Sequence, residues 1–278
     1  VGGDEGVEMN YVFVLGAVDP EMNRIEEILR EQGASVVHAA VGGRRVHPGN
    51  AYVADPVEVP TGATPVWVEC RSAGWTPAGG GVVIDHHREG DLGFSMPASE
   101  YWRASSIGQL YALMGLGEPS PDDLALAAMD HAFAGAVRGE CPGVTPEAVL
   151  AVKYREIATG TRSTEAEVVG SVAHFGGLIE AAPAVTIGTQ SLRDLRGEYL
   201  GEGYSLALLT AQVATTVAGE GVILRHRDFA AGAEKWSLSG EILPKTVIQF
   251  QQVWAPAQGL EKIYGVPARG YAGGYVKA

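Results

Sequence analysis

The stretch GGGVVIDHHREGD, residues 79–91, runs from glycines and apolar residues into an acid and two imidazoles, then Arg88, Glu89 and Asp91. Asp85, His86 and His87 are side chains that ligate cations, move protons or hydrogen-bond phosphoryl oxygens, and they stand where a buried strand stops. Other strands end the same way. The apolar run YVFVLGAV (11–18) leads into Asp19 and Glu21, and TPVWVEC (64–70) carries Glu69 near its end. In a parallel sheet the carboxyl ends of all strands lie on one edge, where open α/β sheets bind ligands. Three strands therefore deliver carboxylates to one neighbourhood. Clustered anions repel and lose hydration, a cost that a cation among them removes. Oxygen and imidazole donors together favour manganese, iron or zinc over calcium. Taken singly, each acid reads more simply as a helix cap or a solvated loop residue. The three together, with the histidines, favour a metal or phosphate site.

The elements that must position these residues follow an alternating pattern. Strands are expected at 11–18, 34–40, 64–70 and 81–87 from their apolar, β-branched runs. PEMNRIEEILREQG reads as a helix with Pro20 in its first turn and Gly33 at its end. Further helices are expected at 104–117, at 120–139 (opened by Ser120, Pro121 and two acids), and in TPEAVLAVKYREIATG and STEAEVVGSVAHFGGLIEAA. The expected fold class is α/β: a parallel-sheet domain over 9–165, a helical linker over 166–183, and a smaller α/β C-terminal domain over 184–278. That last region supplies AVTIGT, LALLTAQVATTVAG, GVILRHRD and EKWSLSGEI, and closes with the Gly-rich YGVPARGYAGGYVKA.

Composition bounds the function. The chain of 278 residues is 46% hydrophobic and 19% charged, which reads as globular. A net charge of −13 opposes a general grip on long duplex nucleic acid, whose affinity comes from neutralising phosphates. It leaves room for a small phosphate ester, because a bound cation reverses the local field. Cys70 and Cys141 are far apart, so no disulfide framework is expected and a reducing, cytoplasmic setting fits. No apolar run approaches the ~18 residues of a membrane span. The opening VGGDEGVE is unlike a signal peptide, and the expected native start is Met9 or an upstream alternative. Nothing in the composition opposes a homodimer.

VVIDHH resembles the signature motif of the DHH phosphoesterase superfamily, which includes single-strand exonucleases, oligoribonucleases, cyclic-dinucleotide phosphodiesterases and manganese pyrophosphatases. The resemblance implies a parallel α/β DHH domain, a helical linker and a smaller C-terminal substrate domain, over nearly the whole chain. GAVDPEMN sits where the family has its first motif, WVEC where the second-motif aspartate ends a strand, and AAMDHAFAG where Asp130 would be the fourth-motif aspartate. ILRHRD and RGYAGGY resemble the arginine and Gly-rich turn that hold substrate phosphate. Ala17 replaces the first-motif histidine, Glu21 and Asn23 stand for two aspartates, and Glu69 for a third. These changes remove one imidazole and one negative charge from a two-ion cluster.

The resemblance thus implies a metal-dependent phosphoesterase acting on a nucleotide or short oligonucleotide. Asp85, Glu69, Glu21, Asp130 and His86 would hold one Mn²⁺ or other divalent ion, with a second bound weakly. Asp85, His86 and His87 would serve catalysis. Arg225, His226, Arg269, Gly270, Gly273 and Gly274 would hold substrate phosphate from the second lobe, across a cleft from the acids. The alternative, supported by Ala17 and Asn23, is a non-catalytic descendant that binds a nucleotide or a protein partner. His131 reads more simply as a core histidine than as a ligand. Ser105 and Ser106 fit N-capping as well as phosphate binding, and no base recommends Cys141 as a nucleophile.

Overall fold

The computed structural model describes residues 10–76, 80–228, 231–267 and 270–277. It is a mixed α/β protein with a parallel sheet and a separate second sheet. The chain divides into two units, 1–152 and 153–278.

In the first unit, β1 (Tyr11–Leu15) is followed by α1 (Pro20–Glu31), β2 (Ser35–His38) and a short hairpin, β3 (Ala40–Val41) and β4 (Arg44–Arg45). Then come β5 (Thr64–Val68) and β6 (Val82–Ile84). The main sheet has the order β2-β1-β5-β6 and is parallel throughout. β1 and β5 lie inside it, which is why YVFVL and TPVWV are almost wholly apolar. Asp19 caps α1 by accepting the Met22 amide at 2.7 Å, and Pro20 fits the first turn because its missing N–H would have no partner there. The helix buries Met22, Ile25, Ile28 and Leu29 on one face against the sheet residues Phe13, Leu15, Val66, Val68 and Ile84. Each such side chain contributes about 1.5–3 kcal/mol by burial.

The expected helix at 104–117 is α3 (Ser106–Met114), which the short α2 (Tyr101–Ala104) precedes, because Ser105 turns to extended backbone and caps α3. α4 (Pro121–Val137) opens with a capping box between Ser120 and Asp123. Asp123 also accepts from Arg24 Nε at 2.7 Å and Tyr111 at 2.8 Å, tying α4 to α1 and α3. α4 leaves helical geometry at Ala132, directly after Asp130 and His131.

α5 (Pro146–Thr161) contains the division between the units, and α6 (Glu165–Ala181) packs on α7 (Leu206–Ala218) in the second. β7 (Ala184–Ile187), β8 (Gln190–Glu202), β9 (Gly221–Arg227), β10 (Glu234–Gly240), β11 (Leu260–Val266) and β12 (Tyr271–Val276) form a sheet of order β11-β12-β10-β9-β8-β7. Only β8 and β9 pair in parallel, joined by α7 as a parallel pair requires. α8 (Pro244–Gln249) continues into a π-helical turn, Phe250–Trp254. The core here is Ile187, Leu192, Ile223, Leu238, Val247 and Phe250. No helix among the described residues is long and apolar enough to cross a membrane.

Candidate metal centre

The strand-end acids sit at the carboxyl edge of the parallel sheet. From β1 the connection runs outward to β2 on one side, while β5 pairs on the other, so the chain reverses direction between β1 and β5. Such a reversal opens a crevice above the strand ends. Gly16 and Glu69 form its floor. A Cβ on Gly16 would lie 2.6 Å from the Glu69 carbonyl oxygen, so only glycine lets the two turns pass. Glu69 itself has φ 49°, a left-handed conformation that costs a side-chain-bearing residue about 1 kcal/mol. Observed strain of this kind marks a residue that its surroundings hold in place.

Four ligand atoms converge there, one each from Glu21, Glu69, His86 and Asp130, all within 4.8 Å of one another. His86 Nε2 lies 3.0 Å from Asp130 Oδ2, 3.4 Å from Glu69 Oε1 and 3.9 Å from Glu21 Oε2. Glu21 Oε2, Glu69 Oε1 and His86 Nε2 are buried and none has an aligned hydrogen bond. Buried polar atoms without partners are rare and costly. Around a divalent ion at about 2.0–2.2 Å from each donor, separations of this size are the expected ones. The donor set therefore fits a divalent cation.

The other ends of these side chains are fixed by the fold. Glu21 Oε1 accepts the Ile107 amide at 3.0 Å, placing the carboxylate on the positive end of α3. His86 Nδ1 lies 3.1 Å from His131 Nδ1, and His131 Nε2 lies 3.0 Å from the Met96 carbonyl. A carbonyl only accepts, so His131 Nε2 carries hydrogen. Burial pulls His131 below its ordinary pKa and keeps it neutral, leaving its Nδ1 as an acceptor. His86 must then donate from Nδ1, and in its neutral form Nε2 offers a lone pair to the cluster. This is the outer partner that metal-binding histidines require. Gly93 makes room for the ring, since a Cβ there would lie 2.6 Å from His86 Cβ.

The electrostatics match. Burial, and then the charges of Asp130 and Glu69, push Glu21 well above its usual range. Burial beside Glu69 and Asp130 raises Asp19 to about 7. Burial opposes charge on His86, but the Asp130 and Glu69 carboxylates outweigh it and raise the imidazole to about 10. Burial likewise raises Asp130, yet His86 outweighs it and the carboxyl stays low. Without a cation the cluster holds a proton in its place.

Asp85 is placed differently from the expectation that it shares the ion. It is fully buried. Its oxygens accept from Arg71 at 2.9 Å, Tyr52 at 3.1 Å and the amides of His86 and His87 at 2.8 and 3.0 Å, with His87 Nδ1 at 3.1 Å. Burial raises its pKa, but these bonds overcome that and hold it well below the carboxylate range. Asp85 is an organising anion that aims His87. Glu69, His86 and His87 form a second, overlapping ligand group. Ala17 offers no donor, and Asn23 is exposed.

Of the residues expected to hold phosphate, Arg225 pairs with Glu234 at 2.8 Å. His226 is buried with Nε2 3.1 Å from Ser237 Oγ. Gly270 turns into β12 with φ 64°, whereas Gly273 and Gly274 lie within that strand and their open sides are filled by Tyr264 and Leu260. Arg269, like Met9, lies outside the described residues. Asp19 was visible as a strand-end acid, but its burial beside the cluster was not. Arg71, in the loop after β5, and Tyr52, in a single 3-10 turn (Ala51–Val53), are the partners of Asp85 and carry no motif.

No protein-family model matches the sequence, and no curated protein does. Among solved structures, a Methanococcus jannaschii protein assigned as a family II inorganic pyrophosphatase aligns over 96% of this chain and 85% of that one, at 13% identity and a TM-score of 0.22. At that score the likeness carries no argument about fold or activity.

Proposed function

We propose that the protein is a divalent-metal-dependent phosphoesterase of the DHH type, whose cation is held by Glu21, Glu69, His86 and Asp130. Its substrate is a small phosphorylated compound, a nucleotide or short oligonucleotide. The observation that carries this reading is the convergence of three buried, unpartnered donor atoms with Asp130 at the carboxyl edge of a parallel sheet. The order of the strand-end acids and the VVIDHH motif support it. A divalent ion there supplies Lewis acidity toward a phosphoryl oxygen and makes water a better nucleophile at neutral pH.

The chain's own groups cover the proton transfers. Asp19, a carboxylate beside the ligand group, is the chain's candidate to accept a proton. Burial lowers the pKa of His87, but the bond from Asp85 leads the charges that raise it overall, and its side chain is 45% exposed. With Nδ1 turned to Asp85, protonated His87 donates from Nε2 to a phosphoryl or leaving-group oxygen. The imidazole among the ligands favours Mn²⁺ over Ca²⁺. An ion at the overlapping group Glu69, His86 and His87 competes for the same Glu69 and His86 side chains and is weaker, because it has one carboxylate where the first site has three.

Metal analysis of the purified protein and hydrolysis of bis-p-nitrophenyl phosphate and pyrophosphate with added Mn²⁺ test the reading. Tight manganese binding with turnover is expected, and Glu69→Gln should lower manganese affinity by at least about tenfold and abolish turnover. Metal binding without turnover of either compound selects the alternative, a degenerate DHH-fold protein that binds a nucleotide or protein partner, which Ala17 and the exposed Asn23 favour. No metal binding overturns both the site and the activity.

A further inference from the structure

In the second unit, two irregular pieces of backbone meet at one arginine. β8 and β9 pair at Asp194 with Ile223 and next at Tyr199 with Arg225, so five residues of β8 advance against two of β9. Residues 195–198 are thus thrown out of the ladder as a bulge. Nearby, Trp254 ends the π-helical turn and stacks on Phe250 at 5.4 Å. Both irregularities give up regular hydrogen bonding, and both recur beside binding sites.

Arg196, on the bulge, lies 4.6 Å from the Trp236 ring and 5.0 Å from the Trp254 ring, and the two rings are 6.3 Å apart. Those three lengths make a near-right angle at the guanidinium. The indoles therefore occupy adjacent sides and leave its opposite side uncovered by either ring. Asp194 holds the guanidinium in a bidentate pair, with Nε to Oδ1 at 2.8 Å and Nη2 to Oδ2 at 2.6 Å. This fixes the plane and neutralises its charge, which suits stacking better than phosphate capture.

A cavity of about 480 Å³ opens there. Its lining joins Arg196, its partner Asp194, Glu198 and Trp236 with the apolar Leu178, Ala181 and Pro183 at the end of α6. The volume suits a small aromatic ligand. A flat guanidinium in a cavity that aliphatic side chains also line suits a planar ring, and bases stack on such planes. Glu198 is exposed and makes no hydrogen bond or ion pair with another described residue, so its two oxygens are free to accept. Two parallel N–H donors on one ring edge match a carboxylate.

We infer that this pocket binds a planar heteroaromatic ring with adjacent N–H donors, of the guanine type, by stacking on Arg196 and pairing with Glu198. Guanine offers such an edge, adenine places an acceptor within it, and cytosine has only the amino group. The site needs no metal.

Calorimetric titration of the full chain with guanosine, adenosine and cytidine in EDTA tests it. Saturable binding of guanosine is expected, about tenfold or more tighter than of adenosine or cytidine. Glu198→Gln should erase that preference. Ala181→Trp, made at an exposed helix position, should fill the slot and abolish binding, with circular dichroism checking that the fold is kept. No saturable guanosine binding, or binding that survives Ala181→Trp, overturns the inference. Equal binding of all three nucleosides, unmoved by Glu198→Gln, overturns the role of the carboxylate and with it the ligand class. Because the metal is chelated throughout, each result is separate from the fate of the phosphoesterase reading.

Discussion

At the residue scale, two side chains outside the proposed ligand set have contrasting roles. His131 fixes the tautomer of His86 through the Nδ1 contact. Replacing it by Phe keeps the ring and removes the acceptor, so His86 no longer has a reason to donate from Nδ1. Manganese affinity should fall about tenfold, the usual effect of losing an outer partner, with little change in thermal midpoint. A manganese titration alongside a melt separates the two. Asp85 is the opposite case. Asp85→Asn removes a buried anion from Arg71 and should cost about 3–5 kcal/mol in denaturant unfolding, while manganese affinity changes less than in Glu69→Gln. The sign of its pH dependence follows from the depressed pKa. Asp85 stabilises the fold fully above its unfolded value near 3.8, and that contribution is lost as pH falls through the folded value. The variant should therefore show a flatter loss of stability on the acid side. Equal acid sensitivity in both proteins would remove Asp85 from this role.

At the element scale, legibility depended on whether burial produced a clean sequence period. β1, β5 and β6 are apolar strands that run into polar turns, so their positions could be read directly, although the expected ranges overran their observed ends at Leu15, Val68 and Ile84. Glu21, Glu69, His86 and Asp130, named from sequence as candidates, do lie together: β5, β6 and the turn into α1 bring the first three to one sheet edge. β8 was missed because QSLRDLRGEYLGE is rich in charge and its bulge at 195–198 breaks the alternation. β12 was hidden by its glycines, since Gly273 and Gly274 lie within the strand and pack under Tyr264 and Leu260. Asp85 was legible as a strand-end acid but not as the partner of Arg71, which depends on how a loop returns. Gly93 belongs to this scale too, since it lets the segment after β6 pass α2 at the Ala104 carbonyl and beside His86. Gly93→Ala should cost about 1–3 kcal/mol by overpacking and weaken manganese binding as His86 is displaced. A chemical melt and a metal titration on the same sample check both, and unchanged values for each would show that the segment yields freely.

At the scale of the whole molecule, the acidic chain carries its least favourable charge in one place, and cation and proton compete for it. In the metal-free protein, Asp19 is raised to about 7 from 3.8, and His86 to about 10 from 6.5. A raised folded pKa means that the folded state binds more protons than the unfolded one between the two values, so stability falls as pH rises through that window. Asp19 contributes its loss between about pH 4 and 7, and His86 between its unfolded value and about 10. Burial raises Glu21 in the same direction. The depressed carboxyls Asp85 and Asp130 act in the opposite sense, but only on the acid side of their unfolded value of 3.8. Metal-free protein should therefore be more stable at pH 5.5 than at pH 8. Manganese needs Glu21 ionised and His86 neutral, and its charge favours the ionised form of neighbouring Asp19, so saturating ion should reverse the order by stabilising the pH 8 sample most. At a free concentration one hundred times Kd the gain is about 2.7 kcal/mol. Thermal melts at both pH values, with EDTA or with excess Mn²⁺, read the reversal directly. If the metal-free protein is instead less stable at pH 5.5 than at pH 8, and manganese adds nothing at pH 8, the acids at the strand ends are ordinary solvated carboxylates and the centre binds no ion.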